Sequence, residues 1–205
     1  MTPRRTTAKN LKRKTANRPE RKTVVIFCEG KASEPDYING LKRLPNVHSN
    51  TSISIEVDPH QGVPMTLVRL AIDRAVDDEV DECWCVFDVE SPKEHPNLKQ
   101  AIQLARDKNI RLAISNPCFE LWLILHFEDR TAFLDTDEAE RRSRELDGRS
   151  GKNINADQYM PHRHAAAQRA SSLSCRHKRN QTMFPRDNPS SAMSDLLTAI
   201  SAMEP

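Results

Sequence analysis

Thr23–Asp36, reading TVVIFCEGKASEPD, constrains the chain most. Val24, Val25, Ile26 and Phe27 form an unbroken apolar run of strand-forming types. That pattern marks a strand buried on both faces, hence one inside a sheet. Glu29 and Gly30 follow where the run stops, and Ser33-Glu34-Pro35-Asp36 reads as a helix start with Ser33 as N-cap, a proline in the first turn and a carboxylate three residues on. Glu29 is therefore expected at the carboxyl end of an interior strand, where open α/β sheets hold their ligands. A carboxylate there has to be paired, hydrated or metal-bound.

The same grammar repeats downstream. Ile53, Ile55 and Val57 alternate with Ser54 and Glu56, predicting a half-exposed edge strand that ends in the turn material Asp58–Gly62. Thr66–Glu82 reads as an amphipathic helix carrying Leu67, Leu70, Ala71, Ala75 and Val76. Cys83–Phe87 is a second continuous apolar strand, ending on Asp88 and Glu90. Pro96–Lys108 reads as a helix and Leu112–Ile114 as a third core strand, after which Asn116 as N-cap and Pro117 at the first position open the apolar helix Cys118–Phe127. Strands alternating with crossovers of this length give an α/β chain with a mostly parallel sheet flanked by helices.

Beyond Glu128 the pattern turns polar and helical, with Asp135–Leu146, Pro161–Cys175 and Ser191–Met203 expected as helices and Gly148–Asn153 and Arg176–Pro189 as basic loops. Residues 23–128 are thus read as the α/β core and 129–205 as a helical C-terminal cap of one domain, 23–205. Residues 1–22 carry nine of the 31 Lys and Arg but one of the 29 acids, leaving 22 basic against 28 acidic residues in the body. With a single leucine to bury, this stretch is expected to be a disordered basic tail. It serves either as a tether to nucleic acid phosphates through Arg4, Arg5, Lys12, Arg13 and Lys14 or as a solvated tail, a targeting presequence being a further option.

The five cysteines are odd in number and lack C-x-x-C spacing, as expected of buried thiols in a reducing, cytoplasmic setting. No apolar run approaches the roughly 18 residues of a membrane span.

Asp88 and Glu90, two apart on an extended segment, would project from one face about 6 to 7 Å apart. With Glu29 they form an oxygen-rich set suited to Mg²⁺ or Mn²⁺ rather than zinc. Such a site supports phosphoryl transfer, with Gly30 allowing close backbone approach to a phosphate and Lys31 offsetting its charge. The competing reading makes these acids ordinary helix caps or arginine partners. Glu120, flanked by Phe119, Leu121 and Trp122, is read either as a fourth acid of the site, ligand or base, or as an anchor for a neighbouring helix start. His126 is read as a packed histidine, and the scatter of His162, His164, Cys175 and His177 as no zinc site. Lys152, Arg163, Arg169, Arg176, Lys178 and Arg179 are candidate phosphate contacts.

Cys28-Glu29-Gly30 with Ser33–Tyr37, Val86–Glu90, Ser115–Leu123 and Asn188–Ser191 resembles the RloB family of defence proteins, the S-N-P-C-F-E-L-W block most specifically. The resemblance implies a Toprim-like, Rossmann-like fold in which Glu29, Asp88 and Glu90 hold a divalent metal. It further implies a nuclease acting on RNA, tRNA included, or DNA in abortive infection, often beside an ATPase partner. One departure is Glu90, where the Toprim pattern usually carries aspartate. Two other readings stand beside it: a non-catalytic nucleic-acid-binding or sensor subunit working with an ATPase, and a primase-like nucleotidyl transferase.

Overall fold

Five consecutive residues, Val24 to Cys28, are almost wholly removed from solvent. The reason is visible in the computed structural model, which describes residues 21–57 and 63–200. They lie in β1 (Lys22–Cys28), which is hydrogen-bonded in parallel to β2 (Thr51–Val57) on one side and β3 (Glu82–Asp88) on the other. Val24 and Ile26 face one core, Val25 and Phe27 the other. β4 (Arg111–Asn116) continues the parallel sheet, and β5 (Ser190–Ser191) closes it antiparallel, giving the order β2-β1-β3-β4-β5. The expected α/β class and mostly parallel sheet are present, and β2 is an edge strand with Ser52 and Ser54 exposed and Ile53 buried.

The helices divide between the two faces. α1 (Ser33–Lys42) lays Tyr37, Ile38 and Leu41 on the Val24/Ile26 face, whereas α3 (Pro64–Arg74) and α4 (Leu98–Asp107) cover the Val25/Phe27 face, α2 (Pro45–Asn50) being the short lead-in to β2. Gly40 lets α1 approach the 3₁₀ turn Ala156–Gln158, because a Cβ there would stand 2.5 Å from that of Ala156. From β1 the chain steps outward to β2 and then returns to β3 on the other side. The carboxyl ends of β1 and β3 therefore flank the point where the winding reverses, and a crevice opens there.

The C-terminal half comprises α5 (Phe119–Ile124), α6 (Thr136–Asp147), α7 (Arg163–Arg179) and α8 (Met193–Ala199). α5 buries Phe119, Leu121, Trp122 and Leu123 in the first core, joined by Ala166, Ala170 and Leu173 of α7 and Leu196 and Leu197 of α8. Cys118, Ile124, Leu134 and Ala139 make a small third core under α6. No helix among the described residues is long and apolar enough to cross a membrane.

Several local expectations are corrected. Lys22 is not tail but the first residue of β1, pairing with Glu82 at 2.9 Å and donating to the Ala199 carbonyl; residues 1–20 of the expected tail, with Arg4, Arg5, Lys12, Arg13 and Lys14, lie outside the described residues. Ser33 is not an N-cap: Ala32 holds that position, and the Ser33 hydroxyl points across the chain. Asn116 does not cap α5. It extends β4 opposite Ser190 and donates to Pro185 O and Asp187 Oδ1, leaving Cys118 in extended backbone at the cap position. α3 stops at Arg74, where Asp77 accepts from both Arg74 and the Glu79 amide and turns the chain, so Val76 is exposed rather than packed, and Leu70 is exposed because it lies off the helix face that buries Leu67, Val68 and Ala71. Arg176, Lys178 and Arg179 belong to the last turn of α7, not to a loop. The C-terminal half is also not purely helical, since β5 returns to the sheet.

Candidate acidic cleft

Each acid of the cleft is placed by a different element. The Glu29 amide still donates to Val86 O at 3.1 Å, so the residue after β1 remains fixed against β3. Its Oε2 accepts the Asp88 amide at 3.2 Å, and its Oε1 lies 2.9 Å from His95 Nε2. That last contact is a close approach rather than an aligned hydrogen bond, since His95 Nε2 has no partner of good geometry. The neighbouring Glu29 carboxylate raises the His95 pKa, outweighing burial, which lowers it.

Asp88 closes β3. Its Oδ1 is shut off from solvent and has no hydrogen-bond partner. Burial pushes its carboxyl well above the ordinary range, and the charges of Glu34, Glu120, Glu29 and Glu90 push it further. Glu34, only 6% exposed, folds back so that its Oε1 accepts the Gly30 amide at 3.1 Å. Burial, reinforced by Glu120 and Glu29 against the hydrogen bonds that favour its charge, takes its pKa up to about 7. A Cβ at Gly30 would overlap the Glu34 carboxylate, so the bare glycine makes room for that side chain.

Glu90 does not continue an extended alternation from Asp88. Its φ of 69° turns the chain, its amide donates to Pro117 O at 2.8 Å, and its Oε2 accepts the Thr136 hydroxyl at 2.7 Å. Strand geometry therefore does not set the Asp88–Glu90 relation; a left-handed turn does. Glu90 nevertheless lines the same cleft, about 350 Å³ in volume, as Glu29, Glu34, Asp88 and Glu120, with Glu140 of α6 at the rim and Lys31 and Lys152 bringing positive charge.

Glu120, in the first turn of α5, has Ser33 Oγ 3.3 Å from its Oε1 and Arg149 Nη2 at 3.8 Å. Arg149 is itself buried, paired with the buried Asp147, which also accepts the Tyr159 hydroxyl; Arg149 Nε is left without a partner. Burial and the bond to Asp147 both push the Tyr159 phenol up.

Of the expected cations, Lys31 and Lys152 stand with the acids. Arg163 donates to Met160 O, Arg176 to Thr131 O and Arg169 to Leu125 O, and none of these lines the cleft; nor do Lys178 and Arg179. His126 is a packed histidine as expected: burial drops its pKa to about 3, and the neutral ring lies 3.0 Å from Tyr37 Oη and 2.8 Å from Trp122 O. Among the described residues no group of three or more His, Cys, Asp or Glu is arranged to hold a metal ion as it stands. The residues sequence reasoning missed are Glu34, His95, Thr136, Glu140 and the Asp147–Arg149 pair. A glycine four residues before a carboxylate was the one local hint of Glu34.

A mostly parallel five-stranded sheet with carboxylates crowded at the carboxyl ends of β1 and β3 defines an α/β protein with an acidic cleft at its switch point. The model of the family described as RloB-like protein matches residues 24–200, and the chain belongs to that family. No curated protein and no solved structure matches it.

Proposed function

We propose that the protein is a divalent-metal-dependent nuclease of antiviral defence, hydrolysing RNA or DNA phosphodiesters at this cleft, as the RloB and Toprim likeness implies. The observation that carries the reading is Asp88 Oδ1, a buried, unpartnered carboxylate oxygen surrounded by four further carboxylates. Such an arrangement is costly unless a proton or a cation joins it. An all-oxygen donor set fits Mg²⁺ or Mn²⁺. Asp88, Glu29 and Glu90 would hold the ion, Glu29 exchanging His95 and Glu90 exchanging Thr136 to do so. When bound, the ion supplies Lewis-acid stabilisation of phosphoryl charge and a lowered pKa for attacking water. Lys31 and Lys152 attract the phosphate, and Glu120 is within reach of the same cleft to accept a proton.

A second reading draws on a specific observation. Glu29 and Glu90 are already engaged with His95 and Thr136, and no ready-made metal site exists among the described residues. That favours a non-catalytic nucleic-acid-binding or sensor subunit whose ATPase partner supplies the chemistry.

Incubation with tRNA, single-stranded RNA and plasmid DNA in Mg²⁺, Mn²⁺ or EDTA, beside a Glu29→Gln/Asp88→Asn variant, decides between them. Metal-dependent cleavage lost in the variant supports the nuclease. Binding without turnover in either metal supports the second reading.

A further inference from the structure

Two loops bracket the end of α7, and side-chain bonds stitch them together. Leu134 N donates to Asn188 Oδ1 at 3.2 Å, Asn188 Nδ2 donates to Leu134 O at 2.8 Å, and Arg176 Nη1 donates to Thr131 O at 2.7 Å. On these loops Phe133 is 67% exposed, Met183 79% and Phe184 38%. Large apolar side chains left in water on two loops that are bonded together commonly mark a binding surface. The Phe184 loop is basic: Arg176, Lys178, Arg179 and Arg186 are all exposed, and no Asp or Glu occurs from Arg176 to Arg186, whereas the Phe133 loop carries Asp129 and Asp135 beside Arg130.

Charge complementarity commits this surface to a polyanion, and exposed rings select a polyanion whose base faces are uncovered. Duplex stacking hides those faces, whereas a single strand offers them, and stacking on an aromatic side chain is tolerant of sequence. The surface also leads to the cleft. Thr136, which lines the cleft and bonds Glu90, follows Phe133 by three residues, at most about 10 Å of chain.

We propose that single-stranded nucleic acid lies across these loops, its bases against Phe133 and Phe184 and its phosphates against Lys178, Arg179 and Arg186, and runs on to the acidic cleft. The destination of the strand rests on the phosphodiester reading of that cleft; the platform itself does not.

The test is fluorescence anisotropy of the full chain in EDTA with labelled oligouridylate and with a labelled RNA duplex. Phe133→Leu/Phe184→Leu keeps apolar bulk and removes the rings, and an unchanged thermal midpoint verifies its fold. It should weaken single-strand binding about tenfold or more, stacking being worth about 1–3 kcal/mol per base, with the duplex little affected and the salt slope unchanged. Lys178→Ala/Arg179→Ala should flatten the single-strand salt slope by about 1. Wild-type affinity in the ring variant, or an equal loss on the duplex, overturns the proposal. So does binding to phosphatidylserine vesicles or polyglutamate in place of the oligomer, which would indicate a membrane or an acidic protein. Cleavage by wild type and ring variant alike, with equal affinity, sinks the platform and leaves the nuclease standing. Ring-dependent binding without cleavage under any metal does the reverse.

Discussion

His95 Nε2 stands 2.9 Å from Glu29 Oε1, so the carboxylate expected to bind a cation already has an imidazole partner within the chain. The two side chains are 17% and 18% exposed, and Glu29 lines the cleft. A divalent ion that recruits Glu29 must displace the imidazole. His95→Ala should therefore tighten the apparent Mn²⁺ affinity several-fold, while lowering stability in EDTA by about 1 kcal/mol, as expected of a modestly exposed pair. Thermal midpoints over a Mn²⁺ titration measure both effects. Unchanged or weaker metal dependence in the variant would show that His95 and the ion do not compete for Glu29.

Glu34 makes stability depend on pH. Its carboxyl has a pKa of about 7 in the folded chain against an ordinary 4.5. Between those values the folded state holds a proton that the unfolded state has released, so stability falls as pH rises through this window and levels off above it. The full effect is about 3 kcal/mol. Glu34→Gln keeps an acceptor for the Gly30 amide and removes the charge. The variant should match the wild type near pH 4.5 and exceed it by up to about 3 kcal/mol above pH 7. Asp88 is shifted upward as well, so the diagnostic quantity is the difference between the two proteins in urea titrations in EDTA. A difference that does not vary with pH would mean that Glu34 is not a buried charge.

The Asp147–Arg149 pair is the buried ionic contact beside Glu120, its side chains 2% and 9% exposed. Arg149→Met strands Asp147 without a counter-charge and should cost about 3 kcal/mol. Arg149→Met/Asp147→Asn removes the stranded charge and should recover most of that loss. Urea midpoints of the two variants check this, and losses that simply add would show that the residues act independently.

How much of this was legible in the sequence follows from which forces are local. The runs Val24–Phe27 and Cys83–Phe87 announced doubly buried strands because interior parallel strands meet apolar cores on both faces. The alternation around Ile53 announced an edge, and the acids after each strand lay at the crevice because chain winding places strand ends there. What stayed hidden depends on tertiary partners. Ser33 looks like a cap by type, yet its hydroxyl engages Lys152 O and Glu120, residues far along the chain. Asp88 and Glu90 suggest alternation until the φ of 69° at Glu90, held by the bond of its amide to Pro117 O, breaks it. Glu34 and His95 carry no motif of their own. Their roles arise only when Gly30 and Glu29 are brought against them.

The basic N-terminal stretch tests whether long-range electrostatics assists the cleft. Arg21 donates to Thr51 O and Lys22 pairs with Glu82, so two of the nine cations among residues 1–22 serve the sheet. Removing residues 1–20 deletes the other seven, Arg4, Arg5, Lys9, Lys12, Arg13, Lys14 and Arg18, without touching β1. If all seven reach phosphates, the slope of log affinity against log salt for single-stranded RNA should flatten by about 5. A smaller change counts the cations that engage. Sequence preference should stay the same in the truncated chain, since phosphate contacts position a nucleic acid without specifying its bases. Salt titrations of oligouridylate binding by the full and truncated chains measure the slope. Identical slopes would show that this stretch contributes nothing to nucleic acid affinity and that cations elsewhere in the chain carry all of it.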